Sequence, residues 1–108
     1  MAREKFQTLT EQMFYILLCL RHERCGTDIM AHVSALTGGR VSVGPGTLYH
    51  LLESFVQSGM IQETKVEGRR RSYRITETGN AALEAEYRRL KALAEDYEAL
   101  SGQEGTAP

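Results

Sequence analysis

Apolar positions recur at helical spacing in three successive stretches before the pattern changes to that of strands. Residues 9–23 predict a first helix, with Thr10 as N-cap ahead of Glu11. Its centre, 13–20 (MFYILLCL), is apolar on nearly every side, so it needs enclosure all round. A chain of 108 residues has little material for that, which hints at a second subunit. Gly26-Thr27-Asp28 opens a second helix carrying Ile29, Met30, Val33 and Leu36. Thr37-Gly38-Gly39 ends it, glycine tolerating the left-handed stop. In the third helix Leu48, Leu51, Leu52, Phe55 and Val56 form a core-facing stripe, and Ser58-Gly59 stops it. Gly46, Thr47, His50, Glu53, Ser54 and Gln57 lie opposite, with Tyr49 on the flank.

Residues 60–67 and 70–75 predict two short strands around the turn Glu67-Gly68-Arg69, with Tyr73 and Ile75 on one face and Arg74 on the other. Thr76 opens a last helix running to about Leu100. Leu83, Tyr87, Leu90, Ala94 and Tyr97 make a seam along it, with Leu93 and Leu100 alongside. At about 24 residues, or ~36 Å, this helix outruns the small head, so a twin helix is expected to cover the seam together with the apolar first helix. The expected dimer interface is Phe14, Leu17, Leu83, Tyr87, Leu90, Ala94 and Tyr97.

The fold class expected is mainly α with a two-stranded β wing: a winged helix-turn-helix plus a long C-terminal dimerisation helix. The division expected is 1–76 for the head, 77–100 for the dimerisation helix, and 101–108 (SGQEGTAP) for a disordered polar tail.

Charge changes the picture only when it is mapped. The net charge of −1 argues against a strongly nucleic-acid-binding surface. Yet Lys65, Arg69, Arg70, Arg71 and Arg74 are clustered with only Glu63 and Glu67 against them, while the stretch after Thr76 is acidic. A localised basic segment points to an anionic partner. In a helix-turn-helix the second helix of the pair enters the major groove by its N-terminal end, which here reads GPGTLYH from Gly44. The glycines give clearance, Pro45 pre-sets the first turn, and the amides favour phosphate. The DNA-contact candidates are Ser42, Gly46, Thr47, Tyr49 and His50 on this side, and Lys65, Arg69, Arg70 and Arg71 in the wing. Tyr49 divides between ring packing and a hydroxyl on phosphate, and Arg74 sits deep enough to pair with a carboxylate instead.

Gly46-Thr47-Leu48-Tyr49, Leu51-Leu52-Glu53, Gly59-Met60-Ile61 and the run Gly68 to Gly79 (GRRRSYRITETG) resemble the PadR family of bacterial transcriptional regulators. The likeness covers residues 9–100 and is closest to the compact subfamily with one short C-terminal helix. It implies a dimeric winged-helix repressor, released by a planar or apolar effector near the dimer interface. Two heads on a twin helix would present their recognition helices about one DNA turn (~34 Å) apart to a palindromic site. Phe14, Tyr87 and Leu90 are the effector-lining residues that the resemblance implies. His50 stands where the family often has proline, and Cys25 where it often has tyrosine.

Cys19, His22, Cys25 and His32 form C-x2-H-x2-C-x6-H, but structural zinc sites use two short ligand pairs on separate elements, so neither a metal nor another cofactor is expected. No phosphate loop or nucleophile–base pair is recognisable, which excludes the common enzyme classes. A protein-interaction module and a metal or Cys25-based redox sensor stay open as alternatives. The start, MAREKFQTLT, lacks the apolar core of a signal peptide and no run spans a bilayer, so a cytoplasmic place without a membrane partner is expected.

Overall fold

The computed structural model describes residues 8–105. Helix α1, Glu11–Cys19, begins where Thr10 Oγ1 accepts the Met13 amide at 3.1 Å. It stops four residues short of the expected Glu23 because other elements take its last carbonyls. Ile75 N donates to Leu20 O at 2.8 Å, and Arg24 Nε donates to Cys19 O at 2.9 Å. A two-residue strand β1, Arg24–Cys25, leads directly into α2, Gly26–Leu36. At the end of α2 the Gly39 amide reaches back to Ser34 O at 2.8 Å, with Gly38 and Gly39 at φ 62° and 81°.

Helix α3, Pro45–Gln57, follows with Gly44 as N-cap and proline in its first turn. Strands β2, Ile61–Glu67, and β3, Arg70–Ile75, form the hairpin, turning at Gly68 with φ 64°. The sheet has three strands, in the order β1-β3-β2, and not the two expected. Both pairings are antiparallel, and β2 carries a bulge at Thr64, between the pairs Glu63–Tyr73 and Lys65–Ser72.

Helix α4, Glu77–Gly105, starts at Thr76, whose hydroxyl accepts the Gly79 amide at 3.1 Å. It runs five residues past the expected Leu100. Residues 101–105 are therefore helical where an irregular tail was expected, while 106–108 lie outside the described residues. Residues 1–7 of the expected head also lie outside them.

The core gathers Ile16, Leu17 and Leu20 with Ile29 and Val33 of α2, Leu48, Leu52 and Phe55 of α3, and Ile61 of β2, all essentially solvent-free. Two residues expected at a subunit interface lie here instead. Leu17 is 0% exposed and Leu83 5%, both covered by their own chain, which corrects that reading. The head encloses most of α1 without help, since α2 and the first turns of α4 both pack on it. Because Leu83 and Glu86 are buried, the first turns of α4 belong to the head's core, and the boundary expected at residue 76 is not a break in packing. Val56, expected in the core stripe, is 41% exposed. From Tyr87 to Leu100 every residue of α4 is exposed, and the molecule is 63 Å long as a result.

Candidate nucleic-acid interface

Gly44, Pro45, Gly46, Thr47, Tyr49 and His50 are all exposed, on the first turns of α3. Gly44 caps the helix without a side-chain hydrogen bond, so no side chain occupies the first amides. A Cβ built on Gly44 or Gly46 would meet nothing within 4 Å, and neither glycine has positive φ. Neither the fold's packing nor its backbone requires glycine here, so the clearance they give faces outward.

Tyr49 is divided as expected. Its ring lies over the start of α2, where a Cβ on Gly26 would be 3.3 Å from Tyr49 Cε1, yet the residue is 45% exposed. Ser42 is exposed, and its carbonyl accepts from Gln12 Nε2 at 3.0 Å. Beside it Arg40 Nη1 donates to Glu11 Oε2 at 2.8 Å and Nη2 to the Tyr15 hydroxyl at 3.0 Å, which ties the α2–α3 connector to α1.

The three wing arginines do not act as one group. Strand alternation and register put Arg71 with Tyr73 and Glu63 on the face that looks toward α3. There, with Tyr49, Leu52, Glu53, Val56 and Gln57, they line a cleft of about 500 Å³. Arg71 Nη1 pairs with Glu63 Oε2 at 2.8 Å. Arg70 and Lys65 lie on the opposite face, in a hollow shared with Cys25, Asp28, Glu67 and Ser72. Lys65 Nζ stands 3.5 Å from Glu67 Oε2. Arg69, at the turn, is exposed. The basic character read along the chain is thus partly neutralised by the wing's own two glutamates.

Cys25 is the N-cap of α2, with Sγ 3.3 Å from the Thr27 hydroxyl. The hydrogen bond with Thr27, then that from Arg70, then the Thr27 amide, hold its thiol below the ordinary range. Burial pushes the Cys19 thiol up. Cys19, His22 and His32 line one shallow hollow and Cys25 another. Among the described residues, no three His, Cys, Asp or Glu side chains stand where they could share a metal ion.

A smaller hollow of about 260 Å³ lies between the start of α1 and α4, lined by Leu9, Thr10, Glu11, Phe14, Tyr15, Glu86, Arg89 and Leu90. It brings together Phe14 and Leu90, two of the three effector-lining residues expected; Tyr87 is not part of its wall. The sequence reading passed over Glu86, buried at 3% exposure and ion-paired with Arg89, whose Nε lies 3.1 Å from Oε1. Its signal was available: Glu86 stands three residues after Leu83 and four before Leu90, on the side of α4 turned to the head. Tyr87, Leu90, Ala94 and Tyr97 of the expected seam are exposed, with Leu93 and Leu100.

Three helices, a β hairpin packed beside the third, and a long trailing helix define a winged helix-turn-helix protein. Residues 16–85 match the Transcriptional regulator PadR-like family, and the chain belongs to that family. The family is one of transcriptional regulators and not of enzymes. Transcriptional regulator Rv3488 of Mycobacterium tuberculosis is 44% identical over 68 residues, 60% of this chain. The chain matches 62% of that relative's length. The structure of H. salinarum RosR grown from NaBr superposes with a TM-score of 0.67 at 22% identity, over 93% of this chain and 96% of that one. The complex structure of hsRosR-SG gives 0.67 at 23% identity, over 98% and 96%. At these identities the likeness is one of fold. Among the described residues no helix is long and apolar enough to cross a membrane.

Proposed function

We propose that the protein is a homodimeric repressor that binds a palindromic duplex through α3 and the wing and is released by a small ligand. The observation that carries the reading is the start of α3. Two glycines that neither packing nor backbone requires flank Pro45, and Thr47 and His50 are exposed beside amides that no side chain caps. Such a surface suits close approach to base edges and phosphates. Thr47 and His50 read bases, Ser42 and the Tyr49 hydroxyl take phosphates, and Lys65 and Arg69–Arg71 grip the flanking backbone.

The exposed seam of α4 supports the dimer, because Tyr87, Leu90, Leu93, Tyr97 and Leu100 form an apolar row that one chain leaves in water. Two heads joined there would offer their α3 helices to half-sites about one DNA turn (~34 Å) apart. The hollow holding Phe14, Leu90, Glu86 and Arg89 touches both α1 and α4, so a ligand in it would bias the spacing of the heads. The protein acts in the cytoplasm, where its DNA lies.

The test is a titration against duplex from upstream of the protein's own gene and against a scrambled duplex, at two salt concentrations. The reading expects tighter binding to the upstream duplex and a log–log salt slope of about 0.9 per phosphate contacted. Equal, weak and salt-insensitive binding to both would reject it.

A further inference from the structure

Within the cleft between α3 and the wing, the charges are Glu53, Glu63 and Arg71. The two carboxylates outnumber the one cation at the place where a phosphate backbone has to pass. α3 itself carries no lysine or arginine. Arg71 is the cation that lines the cleft beside the recognition helix, and its guanidinium is paired there, with Nη1 2.8 Å from Glu63 Oε2. The pair spans the hairpin diagonally. Glu63 stands opposite Tyr73 in the ladder, and Arg71 is two residues along on the same face. The bulge at Thr64 follows Glu63 immediately, and Thr64 is anchored by its hydroxyl, which donates to Glu23 Oε2 at 2.6 Å. The carboxylate is thus fixed at a bend of the strand and is only 32% exposed, whereas the arginine is 59% exposed and has room to swing out.

We propose that Glu63 is a positioning residue that competes with DNA phosphate for Arg71 and so acts as a built-in brake on DNA affinity. This rests on the DNA-binding reading above. In the free protein Arg71 stays on Glu63. On DNA, a phosphate has to draw it away, and Glu63, left unpaired beside the backbone, opposes the complex. The opposite role, in which Glu63 aims Arg71 at the phosphate, would set that phosphate beside the two carboxylates Glu53 and Glu63 that line the same cleft.

The experiment measures binding of the full chain to a scrambled duplex across a salt series for wild type, Glu63→Gln, Arg71→Gln and the double variant. Glu63→Gln is expected to tighten binding roughly three- to fivefold at low salt, the scale of one exposed ion pair. Its salt slope should steepen by up to about 0.9, because no freed carboxylate takes up a cation when Arg71 moves to the phosphate. Most of that gain should vanish in the double variant compared with Arg71→Gln alone. A purely structural role for Glu63 would move neither the slope nor its dependence on Arg71. If Glu63→Gln binds more weakly, binds unchanged, or gains equally without Arg71, the brake is overturned while the DNA reading stands. If wild type shows no salt-dependent binding to any duplex, the DNA reading fails and the brake falls with it.

Discussion

Met60 and Gly79 approach so closely that a β-carbon on Gly79 would lie 2.0 Å from the Met60 carbonyl oxygen and 2.8 Å from Ile75 Cγ1. Around this contact Thr76 N donates to Met60 O at 3.0 Å and the Thr76 hydroxyl donates to Gly59 O at 2.6 Å. The start of α4 is thereby clamped to the segment that links α3 with the wing. A shift at the start of α4 would therefore act on the segment between α3 and the wing.

Gly79→Ala cannot be accommodated by a side-chain rotation, because the obstacle is backbone. The expected cost is about 3 kcal/mol or more, at the upper end of overpacking penalties. Urea denaturation of the variant should show a midpoint well below that of wild type. An unchanged midpoint would mean that α4 can leave the clamp freely.

Gly46→Ala should separate fold from function. Its Cβ meets nothing, and alanine is the better helix former, so stability should hold or rise by about 0.5–1 kcal/mol. Duplex affinity should fall, because the added methyl intrudes on the surface proposed to meet DNA. A variant that is both stable and undiminished in binding would move the contact away from the first turn of α3.

Cys25 and Cys19 should differ in reactivity. Hydrogen bonding to Thr27 and Arg70 favours the Cys25 thiolate, while burial disfavours that of Cys19. At neutral pH, iodoacetamide should label Cys25 well before Cys19, as read by peptide mass spectrometry. Arg70→Gln should slow the labelling of Cys25 and leave that of Cys19 alone.

Strong periodicities were legible in the sequence, and features that depend on distant partners were not. The stripe Leu48, Leu52, Phe55 defined α3, and β3 covers the expected Arg70–Ile75 because hydrophobic alternation and the Gly68 turn agree. Strand β1 is two residues long and has no period to detect. The end of α1 is set by Ile75 and Arg24, which lie outside it in the chain. The separation of Arg70 from Arg71 follows from strand alternation and was available. The Glu63–Arg71 pair depends on how the bulged hairpin folds over α3, and nothing local announces that. The extra helical residues after Leu100 fit the low cost of extending a helix already formed.

Glu86 should make stability pH-dependent. The Arg89 hydrogen bond outweighs burial, and the Leu9 amide adds to it, so the carboxyl is held below its usual range in the folded protein. A depressed folded value contributes stability above the unfolded value, near 4.3, that is lost as pH falls through the folded one. Glu86→Gln should therefore cost stability at pH 7, about 1–2 kcal/mol for a charged hydrogen-bond partner replaced by a neutral one. The gap between variant and wild type should close as urea titrations are moved down toward pH 3. A gap that stays constant with pH would assign the effect to packing.

Leu93 and Tyr97 test the seam directly. Both lie on the part of α4 that no element of the head covers, at 53% and 72% exposure. Leu93→Glu with Tyr97→Glu would place like charges face to face across a twin helix, while in a single chain both carboxylates would be solvated at little cost. Sedimentation should show wild type as a dimer and the double variant as a monomer whose circular dichroism keeps the helices of the head. Affinity for a two-fold duplex should drop much more than affinity for a single half-site, because the monomer loses the effective concentration that linkage supplies. A double variant that remains dimeric would place the subunit contact elsewhere, with the half-buried Phe14 on α1 the next residue to substitute.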